Sequence, residues 1–133
     1  MDVPAGAQRH LDEDQVLWLT TVTDSGTPAP WPVWFVVDGD DILVFSEPTT
    51  RRVHNIEQRS RVALHFNCGP EGDDAWIITG TAALRPGVKP SGAPGYEAKY
   101  RAAIEGALQT TVEQIDATYD TEIRITPTAI RTV

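Results

Sequence analysis

The chain begins to show order at Val16-Leu17-Trp18-Leu19-Thr20-Thr21-Val22, a run of β-branched and aromatic residues that predicts a first strand. Asp24-Ser25-Gly26 supplies a turn. In the next stretch, Thr27 to Val37, Pro28, Pro30 and Pro32 keep the early part irregular or on a sheet edge, and Val33-Trp34-Phe35-Val36-Val37 continues as strand. Asp38-Gly39-Asp40-Asp41 is a hairpin signal leading to Ile42-Leu43-Val44-Phe45. Further on, Arg61 to Phe66 alternates with period two, placing Val62, Leu64 and Phe66 on one face and Ala63 and His65 on the other. Ala75 to Leu84 reads as a fifth strand with a bulge or close backbone approach at Gly80. Glu122 to Thr126 is the last strand, continuing irregularly past Pro127 to Ile130.

Helical spacing is confined to shorter pieces. Residues 1 to 8 are expected to be loose, with a short helix from His10 to Asp14. A second helix is expected over 50 to 58. Tyr96 to Leu108 carries Tyr96, Tyr100, Ala103, Ile104 and Ala107 on one stripe, and Thr111 to Thr118 follows with Thr110 or Thr111 as its cap. Six short strands joined mostly by hairpins predict a mainly β fold with peripheral helices, a small antiparallel barrel, with a β-sandwich as the other option. The first three strands follow one another too closely for the crossover helices that a parallel sheet requires.

Composition narrows the class. The length of 133 residues fits a single domain, residues 1–133, and 41% hydrophobic content with four tryptophans supports a packed core. The single cysteine, Cys68, excludes an internal disulfide framework and suits a reducing compartment. There is no apolar run of membrane-spanning length and no basic-then-apolar leader, so a cytoplasmic protein with no membrane partner is expected. A net charge of −8 argues against general nucleic-acid binding, which needs a broad basic surface.

Against that acidic background one stretch stands out. Between residues 51 and 61 lie Arg51, Arg52, Arg59 and Arg61 against the single acid Glu57. With Thr49 or Thr50 as N-cap, Arg51 and Arg52 fall in the first turn of a helix, where the macrodipole is already positive. That placement is unfavourable for the helix alone, and it is relieved when a phosphate or carboxylate sits among hydroxyls, helix N–H groups and guanidinium forks. Such a site suits a small anion better than a polyanion. The competing reading is a solvated helix end.

Trp31, Trp34 and Phe35 lie on the segment that pairs by hairpin with Ile42 to Ser46, whose end feeds into the arginine turn. A planar ligand bearing a phosphate would find aromatic contacts there; the competing reading, strongest for Phe35 and Phe45, is core packing. The histidines are His10, His54 and His65, and neither they nor Cys68 have metal-site spacing. Hydrolase elbows, Walker loops and dinucleotide fingerprints are absent from the sequence.

The segments W-L-T-T-V-T-D-S-G-T-P, P-V-W-F-V-V-D-G-D-D-I-L-V-F-S-E-P-T-T-R-R-V-H-N-I-E-Q-R-S-R-V-A-L-H-F, G-T-A-A-L and I-R-I-T-P-T-A-I-R together resemble the pyridoxamine 5'-phosphate oxidase-like family. Within it they are most similar to the actinobacterial branch that uses the deazaflavin coenzyme F420. The resemblance runs from Trp18 to Arg131. It implies a split β-barrel of the FMN-binding-protein type, a homodimer with cofactor sites at the subunit interface, and a small-molecule substrate.

It also implies residue roles. Arg52, three positions before Asn55, matches the basic residue that grips the cofactor phosphate; many relatives have lysine there, and arginine replaces a point donor by a planar fork. Val33, Trp34, Phe35, Phe45 and Ser46 match residues lining the ring, and Thr50, Arg51, His54 and Asn55 complete the tail-binding turn. The family's N-P-R-V turn appears here as Arg59-Ser60-Arg61-Val62. The implied chemistry is hydride transfer from coenzyme F420 to an unsaturated or quinone-like molecule, carried by the cofactor. No general acid stands out beyond the candidates His65 and Tyr119. The alternatives are an FMN-dependent oxidoreductase, or a non-enzymatic carrier or haem-binding protein using His54 or His65 as axial ligand. Pyridoxamine 5'-phosphate oxidation itself is not expected, because the chain stops before the substrate-binding extension of those enzymes.

Overall fold

Pro28, Pro30 and Pro32 occupy alternate positions of one strand, so their missing N–H groups all fall along the same side of it. A strand of that kind is tolerated only where that side lacks a neighbour. The computed structural model, which describes residues 1–132, places it so. Pro28–Trp34 forms β2, hydrogen-bonded only to β1 (Val16–Val22) at one end of a seven-stranded antiparallel sheet. The remaining strands are β3 (Val36–Asp38), β4 (Asp41–Ser46), β5 (Arg61–His65), β6 (Trp76–Pro86) and β7 (Thr121–Thr132). The helices are α1 (Ala5–Glu13), α2 (Arg51–Gln58), α3 (Tyr96–Glu105) and α4 (Val112–Thr118).

The strand order is β2-β1-β5-β6-β7-β4-β3, so the two end strands are consecutive in the chain. Only Phe35 separates them, and the sheet must curl back on itself to satisfy that link. This is the barrel. Seven strands are present where six were expected, because the run Val33 to Val37 breaks at Phe35 into β2 and β3. Phe35 is 0% exposed, its ring in the barrel core and edge-on to Phe66 at 6.1 Å.

The break leaves backbone groups without a ladder partner, and α3 provides replacements. The Tyr100 hydroxyl accepts from the Phe35 N–H at 2.8 Å, and its own proton faces the carbonyls of Gln15 at 2.6 Å and Phe35 at 2.9 Å. Lys99 Nζ donates to the Phe35 carbonyl at 2.8 Å and lies 3.5 Å from the centre of the Phe35 ring. A second, smaller core forms outside the sheet, where Tyr96, Tyr100, Ile104 and Ile115 of α3 and α4 cover Val36 and Leu43.

Three expectations change. Helix α1 begins at Ala5 instead of His10, because His10 is buried and anchored, its ring nitrogens 2.7 Å from Asp14 and 2.9 Å from Asp74, its face stacked on Phe66. Strand β7 runs unbroken to Thr132, since Pro127 sits opposite Gly80 at a bulge that leaves Thr128 as the extra residue. A side chain at Gly80 would collide with the Thr126 carbonyl. Helix α3 ends at Glu105, short of Leu108.

Tyr100→Phe is expected to lower unfolding free energy by about 1–3 kcal/mol, read from urea denaturation, because the buried Phe35 N–H loses its acceptor. Burial lowers the Lys99 ammonium to about pKa 8, with Asp14 opposing the shift. The folded protein therefore holds fewer protons than the unfolded chain between that value and the ordinary 10.5. Stability should rise with pH across this window as the buried charge is relieved. Lys99→Met should flatten that rise in thermal melts taken from pH 7 to 11.

Candidate functional site

Helix α2 starts where it does because the Thr50 side chain accepts from the Val53 N–H at 3.4 Å. The hydroxyls of Thr50 and Ser46 lie 2.8 Å apart, and Ser46 donates to the Glu47 carbonyl, so both are used in building the turn. Arg51 and Arg52 then occupy the first helical turn. One turn further along the same face, the buried Asn55 donates from Nδ2 to the Thr21 hydroxyl at 3.0 Å, pinning α2 to β1.

The four arginines separate in space. Arg59 lies 3.6 Å from Asp24 in the β1–β2 turn, and His54 Nε2 reaches the same carboxylate at 2.9 Å. His54, and then Arg59, hold the Asp24 carboxyl below the usual carboxylate range. Arg61 is exposed at the start of β5. Arg51 and Arg52 remain, and among the described residues neither has a carboxylate within ion-pair distance. The Arg52 side chain is half-buried, and its Nε is sealed from solvent without a hydrogen-bond partner. Burial lowers the Arg52 pKa, with Glu47 and Tyr119 opposing; a guanidinium so placed stays charged. A half-buried cation with an orphaned donor fits an anionic group.

Arg52 lies between two cavities. One, of about 200 Å³, opens between the sheet and the α3–α4 pair and is lined by Val33, Trp34, Phe45, Tyr96, Ile115 and Tyr119. The other, of about 320 Å³, also has Arg52 in its wall and is lined by Thr21, Ala29, Trp31, Arg51 and Asn55. Trp31, 60% exposed on the β2 edge, forms the open wall of the second. Trp34 stacks on Tyr100 with ring centres 4.2 Å apart. Burial raises the phenols of Tyr96 and Tyr100 well above their ordinary pKa.

Of the residues expected at the site, Val33, Trp34, Phe45 and Arg52 meet in the first cavity and Arg51, Arg52 and Asn55 in the second. Ser46 and Thr50 build the turn that presents the arginines. Two are placed elsewhere. Phe35 points into the barrel with its backbone already engaged, on the same face as Val33 and opposite to Trp34 and Val36; His54 turns to Asp24. Tyr119 lines the first cavity, whereas His65 stacks on Trp18 at 5.9 Å on the outer sheet face and lines neither. Sequence reasoning missed Thr21 and the α3–α4 residues Tyr96, Leu108 and Ile115 as lining. The amphipathic stripe of α3 was visible, but nothing in it marks which end is incompletely filled.

A family model described as pyridoxamine 5'-phosphate oxidase matches residues 4–133. The chain belongs to that family. No curated protein sequence matches it significantly. Among solved structures it is similar to an F420 reductase, with 21% identity over 97% of this chain and 98% of the other and a TM-score of 0.74. The conserved protein Rv2991 of Mycobacterium tuberculosis aligns at 16% identity and TM-score 0.70, covering 98% and 84%. HutZ, a haem storage protein of Vibrio cholerae, aligns at 14% and 0.66, covering 99% and 95%. These similarities establish the split-barrel fold and span oxidoreductase and haem-binding relatives alike.

Thr21→Val should cost about 1–3 kcal/mol in urea denaturation, since it strands the buried Asn55 amide.

Proposed function

We propose that this member of the pyridoxamine 5'-phosphate oxidase family is a deazaflavin-dependent oxidoreductase that uses coenzyme F420 and passes a hydride to an unsaturated or quinone-like small molecule. The observation that carries the reading is the unpaired Arg52 guanidinium between two cavities, beside Arg51 at the N-terminus of α2. A phosphate there meets two cations and the positive end of a helix. Arg51, Arg52 and Asn55 would hold the charged tail, with Trp31, Val33, Trp34 and Phe45 offering flat apolar surface to the ring. The cofactor, when bound, supplies the hydride chemistry. The chain's own residues bind, orient and exclude water.

A second reading, FMN as cofactor, is favoured by Arg59. A long polyanionic tail would use additional cations, and Arg59 is paired with Asp24. Storage of haem fits less well. His10 has both ring nitrogens on carboxylates, His54 is on Asp24, and His65 is stacked on Trp18.

The same reading includes a homodimer. Trp18, His65 and Ile77 form a cross-strand row on the outer face of β1, β5 and β6, next to the uncharged Thr20, Ala63 and Thr79. Ile77 is 46% exposed. A second copy of the chain would cover this face. The exposed free Cys68 suits a reducing, cytoplasmic setting, and no described helix is long and apolar enough to cross a membrane.

Titration of the purified protein with F420 and with FMN, followed by tryptophan fluorescence, tests the reading. A response to FMN with none to F420 reverses the order of the two cofactors, and silence with both rejects the oxidoreductase assignment. Arg52→Ala should weaken cofactor binding by about ten- to a hundred-fold, matching a charge-assisted contact of roughly 1.5–3 kcal/mol. An unchanged dissociation constant would place the phosphate elsewhere.

A further inference from the structure

One carboxylate, Asp24, serves two basic side chains. It lies 2.9 Å from His54 Nε2 and 3.6 Å from Arg59 Nη1, and Arg59 Nη2 also donates to the Asp24 carbonyl at 3.3 Å. The cluster is open to water, with the Asp24 side chain 68% exposed. Exposed pairs of this kind are weak, because water and salt compete for each charge. The turn that carries Asp24 does not depend on them. The Thr23 N–H donates to the Thr27 carbonyl and the Gly26 N–H to the Thr23 carbonyl, both at 2.9 Å, and the hydroxyls of Thr23, Ser25 and Thr27 are linked at 3.0 and 3.1 Å. A preformed turn thus presents a carboxylate that can leave its partners without unfolding the hairpin.

Helix α2 lies along the β1–β2 hairpin, and the clip is at the far end of that contact from the candidate phosphate site. At the helix start, Arg51 and Arg52 share a cavity with Thr21, Ala29 and Asn55. Arg59 caps the other end, its N–H donating to the Asn55 carbonyl at 2.8 Å. At about 1.5 Å of rise per residue, Arg51 and Arg59 are about 12 Å apart along the axis. Asn55, pinned to Thr21, stands midway. The strip between helix and hairpin therefore has two cations without carboxylates at one end, and two basic groups held by one internal carboxylate at the other.

We propose that His54 and Arg59 form a second anion station whose resident occupant is the Asp24 carboxylate, and that a polyanionic tail anchored at Arg51 and Arg52 displaces it. Asp24 then grades ligands by tail: a single phosphate leaves the clip closed, whereas an oligophosphate or oligocarboxylate tail exchanges with it. The exchange keeps both basic groups paired and returns to water a carboxylate that is already mostly solvated. The inference rests on the oxidoreductase reading for the nature of the cofactor, and on the ion cluster alone for anion binding.

The test titrates inorganic phosphate and tripolyphosphate calorimetrically into the full chain, then F420 and FMN. Salt is held at about 0.15 M, where fields beyond roughly 8 Å are screened. Tripolyphosphate should bind one per chain. Asp24→Asn should tighten it by about ten-fold, the scale of two exposed ion pairs released together, and change phosphate by less than about three-fold. Arg59→Gln in that background should remove the gain. Among cofactors, the gain should go to F420, with the longer anionic tail, and not to FMN. Thermal melts by circular dichroism should match the parent's, since the turn holds without Asp24. A merely structural clip predicts the reverse, a looser hairpin that weakens every anion alike. Equal changes for phosphate and tripolyphosphate, no gain for tripolyphosphate in Asp24→Asn, or a gain that survives Arg59→Gln would each overturn the proposal. The tripolyphosphate pattern in a protein that takes neither cofactor would uphold the station and reject the oxidoreductase reading. F420 binding that ignores Asp24→Asn, with no tripolyphosphate gain, would reject the station alone.

Discussion

Closure of the sheet through one residue governs this molecule. The two ends of a seven-stranded sheet are joined by Phe35 alone, and a strand cannot change partners at a single residue without leaving its N–H and carbonyl unpaired. The Tyr100 hydroxyl and the Lys99 ammonium, both from α3, satisfy those groups. A helix more than sixty residues away in sequence is therefore part of the barrel's closure. Removing the hydroxyl leaves the corner exposed to the full cost of a buried, unsatisfied donor.

The same constraint positions the site. Because α3 must reach the corner, its N-terminal end lies against Trp34 and Phe45, and α4 follows with Ile115 and Tyr119. The cavity is the space this pair leaves unfilled. From the other direction α2 is fixed to β1 by the buried Asn55–Thr21 contact, which holds Arg52 at the boundary. Two independent tethers thus set the distance between a cation and an aromatic surface. Charge is sorted by the same geometry: Asp24 draws off His54 and Arg59, leaving Arg51 and Arg52 as the cations without a carboxylate partner in this turn.

Much of this was legible in the residues. Alternation in Arg61 to Phe66, the Asp38 to Asp41 hairpin and the Gly80 bulge are local, and each appears where local rules put it. The cap at Thr50 and the helix-end arginines were legible for the same reason, since capping and dipole effects act within one turn. Phe35 keeps the period-two alternation, in the barrel core with Val33 while Trp34 and Val36 face the α3–α4 pair; what the pattern does not show is that the sheet changes partners and closes at that residue. The His54 contact was not legible, because its partner Asp24 is thirty residues away in a turn that sequence alone does not place beside α2.

The sequence by itself determined the element types, the barrel class, the family and the presence of a positively charged helix start, all of which depend on short-range sterics, periodicity and charge density. Tertiary structure alone decided which arginine stays unpaired, which aromatic rings face a cavity, and where the second core fails to fill. Those depend on distances between segments far apart in the chain, and in a close-packed protein such distances follow from how the sheet closes.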